Sequence, residues 1–136
     1  MRRFLLAVAF AATFATGAMA QQAQDPAIEA TIQHQFDAFI AGDVATAFSF
    51  AAPNIQGIFG TAENFGTMVQ QGYPMVWRPG SVKYLGLRQG PDGLYQKVAI
   101  TDQAGALHVL EYQMIPGAGG WVIGGVQILQ APEVGA

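Results

Sequence analysis

Residues 94–115 read LYQKVAITDQAGALHVLEYQMI. Two runs rich in β-branched, aromatic and aliphatic residues, Leu94 to Asp102 and Ala106 to Ile115, flank the turn segment Gln103-Ala104-Gly105. Strand-like runs separated by three residues that end in Gly predict a β-hairpin. With Gly105 in the left-handed position of a three-residue loop, Asp102 pairs with Ala106. Counting outward, Gln96 lies opposite Tyr112, Val98 opposite Leu110, and Ile100 opposite His108. On the other face Lys97 lands opposite Glu111, a favourable cross-strand pair. The even-numbered residues are therefore expected to face a core. The odd-numbered face is expected to be wetter.

The same pattern extends on both sides. Ser81 to Gln89 and Trp121 to Gln130 read as strands, set off by Pro91-Asp92-Gly93 and by Pro116 to Gly120. Treating the first of these as another three-residue loop pairs Gly90 with Leu94. Arg88 then lies opposite Gln96, Gly86 opposite Val98 and Tyr84 opposite Ile100, all on the core face. Leu85, Leu87, Leu107 and Val109 join Lys83, Thr101 and Gln113 on the odd face. The loop before Trp121 has no unique length, so the inner face of the last strand is not assigned.

The preceding residues read as helices. Asp25-Pro26 suits an N-cap and first helical position. Ile28, Ile32, Phe36, Phe39 and Ile40 recur at helical spacing, and Gly42 is a natural stop. Asp43 can cap a short second helix with Val44, Ala47, Phe48 and Ala51 on one side, ended by Ala52-Pro53. Asn54 to Gly60 reads as a connector anchored by Ile55, Ile58 and Phe59. Thr61 caps a third helix with Glu63 at its positive end and Phe65, Met68 and Val69 on its buried face. Gly72 ends it, and Tyr73 to Gly80 reads as a Pro-flanked aromatic loop. Helices first and a four-strand meander afterwards predict an α+β fold, with the helices on one face of an antiparallel sheet. One domain over residues 25–130 is expected, with a flexible stretch at 21–24 and a loose tail at 131–136.

Residues 1–20 carry a different signature. Arg2 and Arg3 precede the apolar run Phe4 to Phe14, and Ala18-Met19-Ala20 forms a small-residue box. This predicts a cleavable signal peptide, cut between Ala20 and Gln21, and a periplasmic or secreted product. The apolar run is short for a bilayer span, so no membrane association is expected after cleavage. The chain has six basic residues, nine acidic ones and no Cys. Without Arg2 and Arg3 the basic residues are Arg78, Lys83, Arg88 and Lys97. That sparse and acidic balance argues against nucleic acid and anionic lipid as partners. The absence of Cys leaves the fold to its core, with no disulfide inside the sequence.

Catalytic signatures are missing. There is no G-x-S-x-G, no P-loop and no dinucleotide fingerprint. Two His and no Cys give no repeating ligand spacing, so neither a metal nor a cofactor is expected. Asp37 and His34 fall on the outer side of the first helix, and Asp92 and Asp102 belong to turns. What the pattern does offer is a core face carrying Arg88, Gln96 and His108 beside the hydroxyls of Tyr84 and Tyr112. A few polar groups converging on an apolar surface is how small-molecule sites are built. Buried Arg88 would need an anion or carbonyl partner, such as a ligand carboxylate held by its fork. His108 is alternatively a core histidine bonded to Tyr84. Tyr73 and Trp77 belong either to the mouth of a cavity or to a lid over the core.

The chain also resembles a family of short exported bacterial proteins, domain of unknown function 4864. The resemblance runs over about residues 25–130. It rests on Ile32-Gln33 with Phe36 and Phe39, on Ala47-Phe48 before Ala52-Pro53, and on Phe59-Gly60 and Phe65. Met68-Val69, Gly72-Tyr73-Pro74, Arg78-Pro79, Gly105, Tyr112, Trp121-Val122-Ile123 and Gly125 complete it. The family usually has an acidic pair where this chain has Gly42-Asp43, and a basic residue where it has Val122. The layout is similar to the cone-shaped fold of nuclear transport factor two and SnoaL-like proteins. That likeness implies a curved sheet and a pocket, and leaves activity open. The residues thus favour a non-catalytic domain that binds a small apolar or weakly anionic ligand through Tyr84, Arg88, Gln96, His108, Tyr112, Tyr73 and Trp77. The alternatives are an interaction or homodimerisation module, and an acid–base enzyme using His108.

Overall fold

The computed structural model describes residues 24–132. The expected signal peptide, its expected cleavage between Ala20 and Gln21, most of the expected flexible stretch at 21–24 and residues 133–136 lie outside them. Among the described residues no helix is long and apolar enough to cross a membrane.

Helix α1 (Pro26–Ile40) starts where Asp25 offers its carboxylate to the amides of Ala27 and Ile28, at 3.0 and 3.3 Å. This satisfies donors that the first helical turn leaves without partners. Ile28, Ile32, Phe36 and Phe39 are buried along one stripe. Ile40, expected on that stripe, is instead half exposed, because it ends the helix beyond the part its neighbours cover. Helix α2 (Val44–Ser49) is capped by Asp43, which accepts from the Thr46 amide. Gln35 donates to the Ala47 carbonyl at 3.0 Å and ties α1 to α2.

The expected connector after Pro53 is a helix, α3 (Pro53–Phe59). Proline fits the first helical position, where its missing N–H costs nothing, so Pro53 starts a helix. It does not end the one before: α2 already stops at Ser49, and Ala51, expected on its face, lies beyond it in a bridge to Ile123. The Gln56 side chain donates to the carbonyls of Phe48 and Ala51 and holds α3 in place. Ile58 is no anchor: it is 70% exposed. Helix α4 (Ala62–Gly72) is capped by Thr61 and buries Phe65 and Val69. The Phe65 ring meets Phe48, Phe59 and Phe39 at centroid distances of 5.3, 5.8 and 5.9 Å. The expected aromatic loop is largely a single turn, α5 (Pro74–Trp77), with Met75 and Val76 buried. Trp77 is partly buried against Phe39, 5.5 Å between ring centres.

The sheet is an antiparallel meander in the order β1 (Pro79–Gly90), β2 (Gly93–Asp102), β3 (Leu107–Gly117), β4 (Gly120–Gln130). The β2–β3 register is the one counted from the hairpin: Gln96 faces Tyr112, Lys97 faces Glu111 and Ile100 faces His108. Val98, Ile100, Leu110, Tyr112 and Met114 are buried under the helices. The fold is therefore α+β, with the helices packed on one face of an open four-stranded sheet.

The β1–β2 register differs from the expected one. Gly90 pairs with Gly93, so the turn is the two residues Pro91-Asp92, and Arg88 lies opposite Tyr95. Gly93 does have a positive φ of 142°. A Cβ there would also sit 2.7 Å from the Met114 carbonyl oxygen of the next strand. Close approach of two backbones fixes this glycine, and it belongs to the strand. A one-residue slip moves side chains to the opposite face. Arg88 thus goes to the outer face and Leu87 to the core. A bulge between Tyr84 and Leu87 restores the phase, leaving Tyr84 opposite Val98 and packed on the core.

Strand β4 has two register shifts of its own, one at Leu129 and one at Gly124. Gln113 pairs with Gly125 but Met114 pairs with Ile123, leaving Gly124 extra. Ile123 and Val126 consequently both reach the core side. Ile123 also exchanges backbone hydrogen bonds with the segment between α2 and α3. It donates to Phe50 and accepts from Ala52, both at 2.8 Å.

Candidate functional site

The helices do not seal against the β3–β4 half of the sheet. Between them lies an open cavity of about 320 Å³. From α1 come Gln35 and Phe39, from α3 Ile55, Ile58 and Phe59, and from α4 Phe65, Met68 and Val69. Tyr73 and Val76 contribute at one side, and Tyr112, Ile123, Gly125 and Val126 form the sheet wall. The volume is at the low end for a small-molecule site, and the wall is mostly hydrocarbon, as such sites are. None of its residues is charged.

The polar groups of this wall are few. The Gln35 side chain donates from Nε2 to the Ala47 carbonyl, which leaves its Oε1 as an acceptor in the wall. The Tyr73 hydroxyl donates to the Val126 carbonyl across 3.5 Å, a long and weak bond. The Tyr112 hydroxyl is buried and has no hydrogen-bond partner in the protein. Burial pushes the Tyr112 phenol well above its ordinary range, and the nearby Tyr84 and Tyr73 add to the rise. It therefore stays protonated and remains a donor.

The remaining candidate residues are dispersed. Tyr84 donates to the Gln33 side chain at 2.9 Å and is not part of the wall. Its phenol is raised by burial and by the carboxylates of Glu29 and Asp37. Gln96 is fully buried, but its amide N–H group serves the β1 bulge, donating to Leu85 at 3.0 Å and to Lys97 at 2.9 Å. Its Oε1 has no partner. Trp77 packs on Phe39, with the Arg78 guanidinium 4.8 Å from its ring centre.

Arg88 finds its anion inside the protein. On the outer face it grips Glu111 with two parallel bonds, Nε to Oε2 at 2.9 Å and Nη2 to Oε1 at 2.8 Å. Its guanidinium also lies 4.4 Å from the Tyr95 ring centre. Glu111 is only 5% exposed although Arg88 is 57% exposed. The Arg88 hydrogen bonds hold the Glu111 carboxyl below its ordinary value.

His108 meets a carboxylate, not Tyr84. Its Nε2 lies 2.8 Å from Asp102 Oδ2, so Nε2 donates and Nδ1 is left buried without a partner. Asp102 also accepts from the amides of Ala104 and Ala106. These bonds, His108 first, hold its carboxyl below the usual range. The pair thus locks the β2–β3 turn, and His108 does not line the cavity. His34 and Asp37 are exposed, as their helical phase requires. Among the described residues no three His, Asp or Glu side chains gather to hold a metal ion.

Two of the seven sequence candidates, Tyr73 and Tyr112, come together in the cavity. Most of the wall belongs to residues that periodicity marks only as core. Gln35 carried the one unused signal, a polar residue between Ile32 and Phe39 on an apolar stripe.

Fold and cavity together describe a small α+β domain with an apolar chamber between its two layers. The family model described as Domain of unknown function (DUF4864) matches residues 21–136, and the chain belongs to that family. No curated protein matches the chain, and no solved structure does.

Proposed function

We propose that this chain is an exported, non-catalytic domain that binds a small, uncharged, apolar molecule between its helices and its sheet. The cavity carries the proposal: about 320 Å³, open to solvent and walled by hydrocarbon. The position of Arg88 removes the reason to expect an anionic ligand, because its guanidinium is engaged by Glu111 on the opposite face. An ion placed against this wall would lose its hydration without compensation. The Arg2-Arg3, apolar-run and Ala18-Met19-Ala20 pattern supports export to the periplasm or beyond.

The test is a titration of the chain from residue 21 onward with phenylnaphthylamine, a neutral apolar dye that brightens out of water. Saturable one-to-one binding is expected, and Met68→Trp, which adds bulk to the wall, should weaken it. Absence of saturable binding would sink the reading.

A second reading, pairing of two copies, has its own support. The last four residues of edge strand β4, Gln127 to Gln130, are all exposed, Ile128 and Leu129 among them. Exposed edge strands invite pairing with another chain.

A further inference from the structure

We infer that the cavity selects apolar molecules carrying a hydroxyl, an alcohol or a phenol, and that the Gln35 side-chain oxygen is the acceptor that reads it. This deepens the binding function proposed above and rests on it.

Gln35 is the odd residue of the α1 stripe. It lies between Ile32 and Phe39, is 5% exposed and stands in the cavity wall. Its bond to Ala47 does not by itself call for a polar residue there, because the Phe50 amide already donates to that carbonyl at 3.2 Å. The bond does fix which way the amide faces. Turning it over would set Oε1 against the Ala47 oxygen, so Nε2 stays on Ala47 and Oε1 takes the other side. Among the described residues no donor reaches Oε1. Yet Oε1 is not sealed in, as the Tyr112 hydroxyl and the Gln96 Oε1 are. With the rest of the residue buried, the opening left to it is the cavity.

When an apolar ligand displaces water from such a wall, an acceptor without a partner loses its hydration and weakens binding. A ligand hydroxyl restores the bond by donating to Oε1. The other side-chain polar groups of the wall leave this role to Gln35. The Tyr112 hydroxyl is inaccessible, and Tyr73 donates to Val126. That Tyr73 bond is long at 3.5 Å, so its hydroxyl can also turn to the ligand oxygen. An ammonium group would supply a donor too, but no carboxylate in the wall offsets its charge.

Naphthol and methylnaphthalene have nearly one shape, with a hydroxyl in place of a methyl. Each is used to displace phenylnaphthylamine from the chain from residue 21 onward, so the dye's own affinity cancels from their ratio. A wall with no acceptor should disfavour naphthol by the ratio in which the two partition from water into an alkane. The unaltered chain is expected to disfavour it about tenfold less than that, the scale of one hydrogen bond to a buried group. Gln35→Met keeps the length of the side chain and removes its oxygen, and there the advantage of about tenfold should be lost. Gln35→Asn, which draws the amide back by one carbon, should show the same loss and stands in if the Met variant does not fold. A dye that never binds overturns both this inference and the binding function. Dye binding with an alkane-like ratio in the unaltered chain overturns the hydroxyl preference and leaves the binding function standing, and that comparison needs no variant. A ratio unchanged by the Gln35 substitutions overturns the assignment to Gln35.

Discussion

Glu111 shows how far one side chain can depart from the face it was assigned. It sits on the outer side of the sheet, yet it is almost as inaccessible as the core. Arg88 and its stacking on Tyr95 account for this. Its carboxyl is lowered in the folded state from an ordinary 4.5. A lowered carboxyl contributes stability that is fully present above the ordinary value and is lost as pH falls through the lowered one. Melting temperature should thus decline on acidification from about pH 6 to pH 3. Arg88→Ala should reduce stability at neutral pH and flatten that decline. Replacing both partners by Met and Leu should recover much of the loss, since an unpaired buried charge is worse than none. Thermal melts across the pH range measure all three. Residue-scale reading of the sequence succeeded where one interaction dominates: the Asp25, Asp43 and Thr61 caps, and the Asp102 turn. It failed for Arg88 because the face of a strand residue depends on a turn several residues away. Pro91-Asp92-Gly93 is compatible with two turn lengths, and the backbone approach that decides between them comes from Met114, a strand further on.

Among the elements, α3 is the least secured. None of its residues is buried, and it carries Gly57 in its middle. What holds it is the Gln56 side chain, together with Ile55 and the Phe59 ring over the cavity. An element with few buried contacts opens at lower free energy than the domain unfolds. A Cβ added at Gly57 would meet nothing within 4 Å. Gly57→Ala should therefore stabilise the helix by about 0.5–1 kcal/mol. Amide exchange within α3 should slow by roughly two- to fivefold, and dye entry should slow with it. Unchanged exchange would mean that α3 moves only when the whole domain does. The helix itself was hidden because Pro53 can be read by two opposite rules, stop and start. Periodicity could not choose, since Ile55, Ile58 and Phe59 suit an irregular anchor as well as a seven-residue helix. The bulges in β1 and β4 were hidden for a related reason. A bulge is one extra residue, and Gly86 and Gly124 read equally well as ordinary strand glycines.

At the scale of the whole molecule, layer order was the most legible property and the cavity the least. Caps, periodicity and turn residues are local, and they suffice for helices on one face of a meander. A void is a relation between layers: it exists because Ile123 and Val126 share a face across the Gly124 bulge while Phe65 gathers the aromatic rings above. The same β4 bulge divides the sheet's outer margin. At Ile123 the margin is occupied by the strap from Phe50 to Ala52. Beyond it, β4 has no charged side chain over its whole length, whereas the opposite margin, β1, carries Lys83 and Arg88. Light scattering at high concentration should find a dimer, and Ile128→Lys, which places a charge on the free stretch, should return it to monomer. The geometry of that contact sets its limit. A margin that offers itself only to its twin is used up by a single meeting, and the joined sheet then ends in two β1 rims, each carrying Lys83. Such an arrangement closes as a pair with two-fold symmetry and cannot grow into a fibre. For any sheet protein at high concentration, having one unguarded margin instead of two is the difference between pairing and polymerising.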